Sequence, residues 1–248
     1  MIEARNISKV FNNRKVLKNV SAQFEKGKAN LVIGQSGSGK TVLMKCLVGL
    51  LEVDEGQVLY DNRNFSGMTL KERRPIRQEI GMLFQGAALF DSLTVEENVM
   101  FPLNMFTDKS LEEKRERVNF CLNRVDIKNA NCLYPSELSG GMKKRVAIAR
   151  AISMNPQYLF CDEPNSGLDP KTSILIDNLI SEITKEYQIT TVINTHDMNS
   201  VIEIGDRISF IYHGQLWWQG TNAEILHTDN KEINDFVYAT ELLRKLKK

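Results

Sequence analysis

The sequence predicts an α/β fold: a mostly parallel sheet flanked by helices, preceded by an N-terminal antiparallel β layer and interrupted by an inserted helical subdomain. Three observations carry this. Short continuous apolar runs, the pattern of strands covered on both faces, recur between helical patterns from residue 31 to residue 212. The segment Gly34-Gln-Ser-Gly-Ser-Gly-Lys-Thr41 fits the phosphate-cradling pattern GxxxxGK[ST] at every constrained position, between such a run and a helical one. Strand signals vanish between Gln85 and Pro156, where helical patterns dominate.

Taken in order, residues 2–33 alternate short β-like runs with the turn signals Phe11-Asn12-Asn13-Arg14 and Glu25-Lys26-Gly27-Lys28, which gives the antiparallel layer. Leu31-Val32-Ile33 ends it as a buried strand. Val42 to Val48 follows the glycine segment as a helix whose N-terminal dipole faces the phosphates. Ile80 to Phe84, Tyr158 to Cys161, Ile189 to Ile193 and Ile208 to Tyr212 supply the other parallel strands. In the helical insertion, Ser110 and Glu113 form a capping box ahead of apolar positions Leu111, Val118, Cys121, Leu122 and Val125. A Ser-Gly-Gly turn then opens a helix over Val146 to Met154. His213-Gly214 turns a late hairpin carrying Trp217-Trp218, and Asn230 to Lys248 has the spacing of an amphipathic helix through Ile233, Phe236, Val237, Leu242, Leu243 and Leu246. The expected organisation is one domain: core and β layer over 1–85 and 156–220, helical subdomain over 86–155, and a C-terminal extension over 221–248.

Composition narrows the class. The chain has 248 residues, 42% hydrophobic and 25% charged, an ordinary globular balance. With 32 basic and 31 acidic residues the net charge is +1, so no global field favours nucleic acid. The four cysteines contain no CxxC pair and read as reduced, three of them buried. No apolar run reaches the ~18 residues of a membrane span, so work at a membrane requires a partner that holds the chain there.

The chemistry begins at the glycine segment. A triphosphate carries several negative charges, and Gly34, Gly37 and Gly39 let successive backbone N–H groups converge on it. The expected nucleotide-binding positions are Gly34, Gln35, Ser36, Gly37, Ser38, Gly39, Lys40, Thr41 and Val42, with Lys40 reaching the β- and γ-phosphates and Thr41 ligating Mg²⁺. A second cluster closes the strand Tyr158-Leu-Phe-Cys-Asp162-Glu163. Asp162 can hold Mg²⁺ and Glu163 can polarise the attacking water, because successive side chains on an extended segment point apart. The third, Leu138-Ser139-Gly140-Gly141, is another anion-binding helix start, which a single nucleotide does not obviously need.

The order of phosphate loop, Gln85, LSGGM, YLFCDE, SGLD and His196 resembles the ATP-binding cassette family along nearly the entire chain. That resemblance implies a P-loop NTPase core of RecA-like type, an ATPase with ATP and Mg²⁺, and a head-to-tail homodimer. In such a dimer the phosphate loop of one copy and Ser139, Gly140 and Gly141 of the other sandwich each ATP. It implies that Gln85 senses Mg²⁺ and the attacking water, that Asp169 in Ser166-Gly-Leu-Asp169 lies at the dimer contact, and that His196 contacts the γ-phosphate. Phe11 aligns with the aromatic that stacks on adenine, with packing in the core as the other reading. His213 and His227 match nothing and read as surface residues.

Within the family, Leu83 to Met100, followed by Phe101-Pro-Leu103, and Met142 after LSGG are similar to ATPases of the lipid-asymmetry type. That likeness implies phospholipid transport between membranes, energised by a cassette held at the cytoplasmic face of the inner membrane through a permease. Its further expected partners are a small regulatory subunit and a lipid-binding mammalian-cell-entry domain protein. A solute importer or a lipoprotein or drug exporter is the alternative, with a soluble cassette ATPase acting outside transport as a further one, and Asn165 departs from the residues expected there. For the C-terminal helix, docking on the core or on the partner protomer, a regulatory-subunit contact, and anionic lipid all stay open.

Overall fold

The computed structural model describes residues 1–238. Its elements are β1 (Ile2–Phe11), β2 (Arg14–Phe24), β3 (Ala29–Ile33), α1 (Lys40–Leu47), β4 (Glu55–Tyr60), β5 (Arg63–Asn64), α2 (Arg74–Gln78), β6 (Ile80–Leu83), α3 (Val95–Phe106), α4 (Leu111–Arg124), α5 (Gly140–Ile152), β7 (Tyr158–Asp162), α6 (Pro170–Glu186), β8 (Thr190–Asn194), α7 (Met198–Ile204), β9 (Arg207–Tyr212), β10 (Gln215–Gly220), α8 (Asn222–Ile225) and α9 (Lys231–Val237).

The expected layers are present. One sheet is antiparallel, in the order β2-β1-β4-β5. The other has the order β10-β9-β3-β8-β7-β6, parallel throughout except for the β9–β10 hairpin. The β1–β2 turn rests on Asn12 and Asn13, both with positive φ, a conformation asparagine tolerates and a two-residue hairpin needs. The antiparallel layer extends beyond the expected residues 2–33, because β4 and β5 complete it. Glu55-Gly56-Gln57 of β4 is exposed and only Val58-Leu59-Tyr60 is buried, so that strand shows no clean alternation in sequence.

Two hydrophobic clusters lie on opposite faces of the parallel sheet. Leu31 and Ile33 of β3 and Leu159 and Cys161 of β7 face α3, α5 and α6, whereas Val32, Tyr158 and Phe160 face α1 and the antiparallel layer. That alternation between two dry faces is why these strands read as continuous apolar runs.

The helical stretch contains α3, α4 and α5. Ser110 and Glu113 form the expected capping box, but Leu111 is exposed and takes no part in the buried stripe of Val118, Cys121 and Leu122. Helix α5 starts at Gly140, six residues before the expected start at Val146, because Ser139 caps it by accepting from the N–H of Met142. The fully buried Asn98 sequence reasoning missed: its amide donates to the carbonyls of Phe90, Leu93 and Thr94 and accepts from the Phe90 N–H, shaping the loop that enters α3. Cys46, Cys121 and Cys161 are buried free thiols and Cys132 is exposed, as expected. Of the predicted C-terminal helix, α9 is described, with Ile233 and Val237 buried. Leu242, Leu243, Leu246 and the basic end lie outside the described residues.

Candidate functional site

The strand order β3-β8-β7-β6 brings four loops to one edge of the parallel sheet, all leaving the C-terminal ends of their strands. In open α/β sheets this edge forms the ligand crevice. Along it stand the glycine segment after β3, His196 after β8, Asp162 and Glu163 at the end of β7, and Gln85 after β6.

The glycine segment has the shape a phosphate needs. Gly34, Gly37 and Gly39 all have positive φ, and a Cβ on Gly34 would sit 2.3 Å from the Ile211 carbonyl oxygen. Lys40 Nζ donates to the carbonyls of Gly34 at 2.7 Å and Gln35 at 3.1 Å, so its ammonium lies across the loop mouth. Burial lowers the pKa of Lys40, against the opposing pull of Glu163 and Asp162. Ser38 Oγ is buried with no hydrogen-bond partner, an acceptor-seeking group inside the cradle that a phosphate oxygen would satisfy. Gln35, Ser36, Gly37 and Thr41 are exposed, and Val42 is half-buried on α1. The loop is braced from outside: the Gly214 N–H donates to the Ser38 carbonyl at 3.0 Å, and the Gly214 carbonyl accepts from the Lys18 N–H at 2.8 Å. The reading of His213-Gly214 as a simple hairpin turn missed this brace.

At the end of β7 the two acids point to different partners. Asp162 Oδ1 accepts from Asn194 Nδ2 at 3.1 Å. Glu163 adopts a positive φ of 48°, which costs a non-glycine residue about 1–3 kcal/mol, and its N–H donates to the Asn194 carbonyl at 3.0 Å. Glu163 Oε2 lies 2.7 Å from Nδ1 of the exposed His196. Gln85 Nε2 donates to Ser166 Oγ at 3.2 Å, linking the end of β6 to the loop after Glu163.

The remaining expected residues lie beyond this cluster. Asp169 caps α6, accepting from the N–H and hydroxyl of Thr172, bonds that hold its carboxyl below the usual range. Ser139 and Gly140 are exposed, and Gly141 abuts Thr172, where an added Cβ would be 2.8 Å from Thr172 Cγ2. Phe11 is 39% exposed and belongs to neither core cluster, with Lys9 Nζ 5.5 Å from its ring centroid. The core-packing reading of Phe11 therefore falls. His213 and His227 are exposed, as expected.

Two cations on α5 escaped the sequence analysis. Lys144, 4% exposed, donates through Nζ to the Gln85 carbonyl and reaches the Glu163 carbonyl at 3.4 Å. Arg150 donates to the carbonyls of Ala87 at 2.8 Å and Ala88 at 2.7 Å, two residues with positive φ. Together they tie the Gln85 loop to helix α5, which Ser139 caps. Lys144 adjoins the buried stripe Ala147, Ile148 and Ala151, a placement that signals a buried donor.

A buried carboxylate, Asp177 of α6, is pushed up to about 6 by desolvation, against donation from Ser200 and Asn165, with Asp197 and Glu203 adding to the rise. The folded state thus favours the protonated form. Its contribution is complete below the unfolded pKa near 3.8 and is lost as pH rises through about 6, a change of about 3 kcal/mol. Denaturant unfolding should therefore show Asp177→Asn gaining on the wild type by about that amount between pH 4 and pH 7, and a pH-independent difference would refute the assignment.

The ABC transporter family matches residues 17–166. The chain belongs to this family. Over 256 residues the cassette is 39% identical to "Methionine import ATP-binding protein MetN 1" of Bacillus cereus, a match that spans 100% of the cassette and 74% of that relative. It is 38% identical to the MetN of Clostridium tetani, across 98% of the cassette and 76% of the relative. Among solved structures, the cassette MJ0796 in a dimeric post-hydrolysis state with ADP and phosphate superposes with a TM-score of 0.82 at 33% identity, covering 90% of this chain and 99% of that one. CbiO1 of Clostridium perfringens gives 0.85 at 28% identity, covering 100% and 98%. The cassette is an ATPase with the α/β fold expected from sequence. Its relatives carry a methionine-import name, and the finer likeness to lipid-asymmetry ATPases gains no support from them.

Proposed function

We propose that this cassette is the ATP-hydrolysing subunit of a membrane importer, acting as a homodimer bound to permease subunits at the cytoplasmic face of the membrane. The observation that carries the hydrolytic reading is the 2.7 Å contact of His196 Nδ1 with Glu163 Oε2, on the sheet edge that also holds Lys40. The import reading draws on the names of relatives such as MetN of Bacillus cereus and Clostridium tetani. Among the described residues no helix is long and apolar enough to cross a membrane, which suits a subunit held by a permease. In this reading the chain divides into a core with β layer (1–85 and 156–220), a helical subdomain (86–155) and an extension (221–248).

In this reading Gly34 to Val42 wrap the phosphates with backbone N–H groups and Lys40 neutralises their charge. Ser139, Gly140 and Gly141 of a second copy close the site, with Asp169 at the contact between copies. Glu163 orients and deprotonates the attacking water, and His196, anchored on Glu163, stabilises the charge on the transferred group. Thr41, Gln85 and Asp162 would hold Mg²⁺. Few, hard oxygen donors suit that ion, and the described residues contain no cluster of His, Cys, Asp and Glu dense enough for an all-protein metal cage. When bound, Mg²⁺ offsets charge on the phosphate oxygens.

Phe11 supplies the adenine platform. Phe11→Ala should weaken ATP binding by roughly 5- to 150-fold, the equivalent of about 1–3 kcal/mol of stacking, and Phe11→Tyr should stay within about twofold. Titration with a fluorescent ATP analogue checks this, and unchanged affinity in Phe11→Ala would remove Phe11 from the site.

A second reading, phospholipid movement with a permease, a regulatory subunit and a lipid-binding mammalian-cell-entry domain protein, is favoured by the likeness of Leu83 to Leu103 and of Met142 to lipid-asymmetry ATPases. Pulling down the tagged cassette with its permease and reconstituting the complex in liposomes separates the two. ATP-driven uptake of labelled methionine supports import. ATP-dependent transfer of labelled phospholipid without methionine uptake overturns it.

A further inference from the structure

Asp177 lies outside the nucleotide-binding residues named above, yet it is 2% exposed and sits on the buried stripe of α6 with Ser173, Ile176 and Ile180. An apolar side chain would fill that stripe without the cost of desolvating a carboxylate, so packing gives no account of the residue. Its bonds do. Oδ2 accepts from Asn165 Nδ2 at 2.8 Å and from Ser200 Oγ at 2.7 Å, and Asn165 Nδ2 also reaches Ser200 Oγ at 3.1 Å. Asn165 stands two residues after Glu163, in the loop whose Ser166 N–H donates back to the Glu163 carbonyl. Ser200 stands four residues after His196, in the first turn of α7. A closed ring results: Glu163, Asn165, Asp177, Ser200 and His196, completed by the contact of His196 with Glu163.

The anchor of this ring is rigid. Helix α6 is 17 residues long and is pinned in the core by the fully buried Ile176, Ile180 and Ile183. The loop from Glu163 to Asp169 and the seven-residue helix α7 hang on that anchor through Asn165 and Ser200. The other oxygen, Asp177 Oδ1, and Asn165 Oδ1 are both buried without a partner, so the cluster is less than fully satisfied as a structural plug and is costly to keep.

We propose that Asp177 is a positioning residue for ATP hydrolysis, holding Glu163 and His196 against each other through Asn165 and Ser200. This rests on the reading of Glu163 and His196 as the hydrolytic pair. The same link makes the loop before Asp169 move with the helix after His196. A change at the interface between copies would thereby reach the water-activating carboxylate.

Steady-state ATPase kinetics, ATP affinity and thermal unfolding of Asp177→Leu, Asp177→Asn and the double variant Asn165→Ala/Ser200→Ala test this, with Glu163→Gln as reference. Asp177→Leu keeps the volume but removes the acceptor, and kcat should fall about 10- to 100-fold with KM for ATP within about threefold. Asp177→Asn keeps an acceptor oxygen and should retain kcat within about threefold. The double variant, with Asp177 intact, should lose kcat as Asp177→Leu does. The role is overturned if Asp177→Leu keeps its kcat, if the loss appears equally in Asp177→Asn, or if it appears as a rise in KM. Should Asp177→Leu fail to fold, the remaining pair decides: an active Asp177→Asn beside an impaired double variant supports the role, and any other result overturns it. Near-normal turnover in Glu163→Gln would refute the hydrolytic pair itself, whereas an inactive Glu163→Gln beside a fully active Asp177→Leu refutes only the positioning role.

Discussion

Glu163→Gln should cut ATP turnover by about 10²- to 10⁴-fold, the range for loss of a positioned general base, while ATP affinity stays within about threefold. The change removes one negative charge and keeps the shape. Gln still offers its carbonyl oxygen to His196 Nδ1, now 2.7 Å from Glu163 Oε2, so the histidine keeps its place. What is lost is the ability to take a proton from water. A site that binds ATP without consuming it also holds its two copies together, so the variant should run as a dimer on size-exclusion chromatography with ATP and as a monomer without it. Hydrolysis near the wild-type rate would dismiss Glu163 as the base and would shift attention to His196 alone.

Lys40→Ala and Ser139→Arg should each be inactive as homodimers, yet mixing them should restore turnover. The first variant lacks a working phosphate loop and the second a working Ser-Gly-Gly turn. If each site draws its two halves from different copies, half of the dimers after exchange contain one intact site, and about a quarter of the wild-type rate returns. Within one chain, Gly141 packs beside Thr172, and Ser139 and Gly140 face solvent, so this turn is free to meet another copy. If each chain housed a complete site, neither variant could repair the other, and the mixture would stay as inactive as its components. Turnover per protomer should also rise with protein concentration, because dimer formation limits it.

The groups proposed to touch ATP through the local backbone carry a mark in the sequence. Gly34 to Thr41 must combine a left-handed turn, a lysine and a hydroxyl within eight positions, and Asp162-Glu163 must end a strand, so spacing alone exposes both. The residues that hold those groups in place were not legible. No motif or spacing singles out Lys144 and Arg150, yet they grip the Gln85 loop from 59 and 62–63 positions away in sequence. Asp177 looks like one more acid on a helix, and Gly214 like a plain hairpin glycine. Strand β4 escaped because half of it is exposed, and α5 begins earlier than its apolar stripe because a serine cap and two glycines carry no hydrophobic period.

By itself the sequence determined the α/β class, the parallel strands, the glycine loop between β3 and α1 and the kinds of groups the proposed hydrolysis would use. These follow from short-range rules of spacing, capping and strand burial. Only the tertiary structure decided which groups meet. The sheet order β3-β8-β7-β6 sets His196 beside Glu163, although 33 positions separate them, and two buried polar bridges, Lys144 and Asp177, fix the loops around that pair. Hydrogen bonds between distant segments depend on how layers pack, and the partner of a single buried polar side chain leaves no periodic mark in the chain.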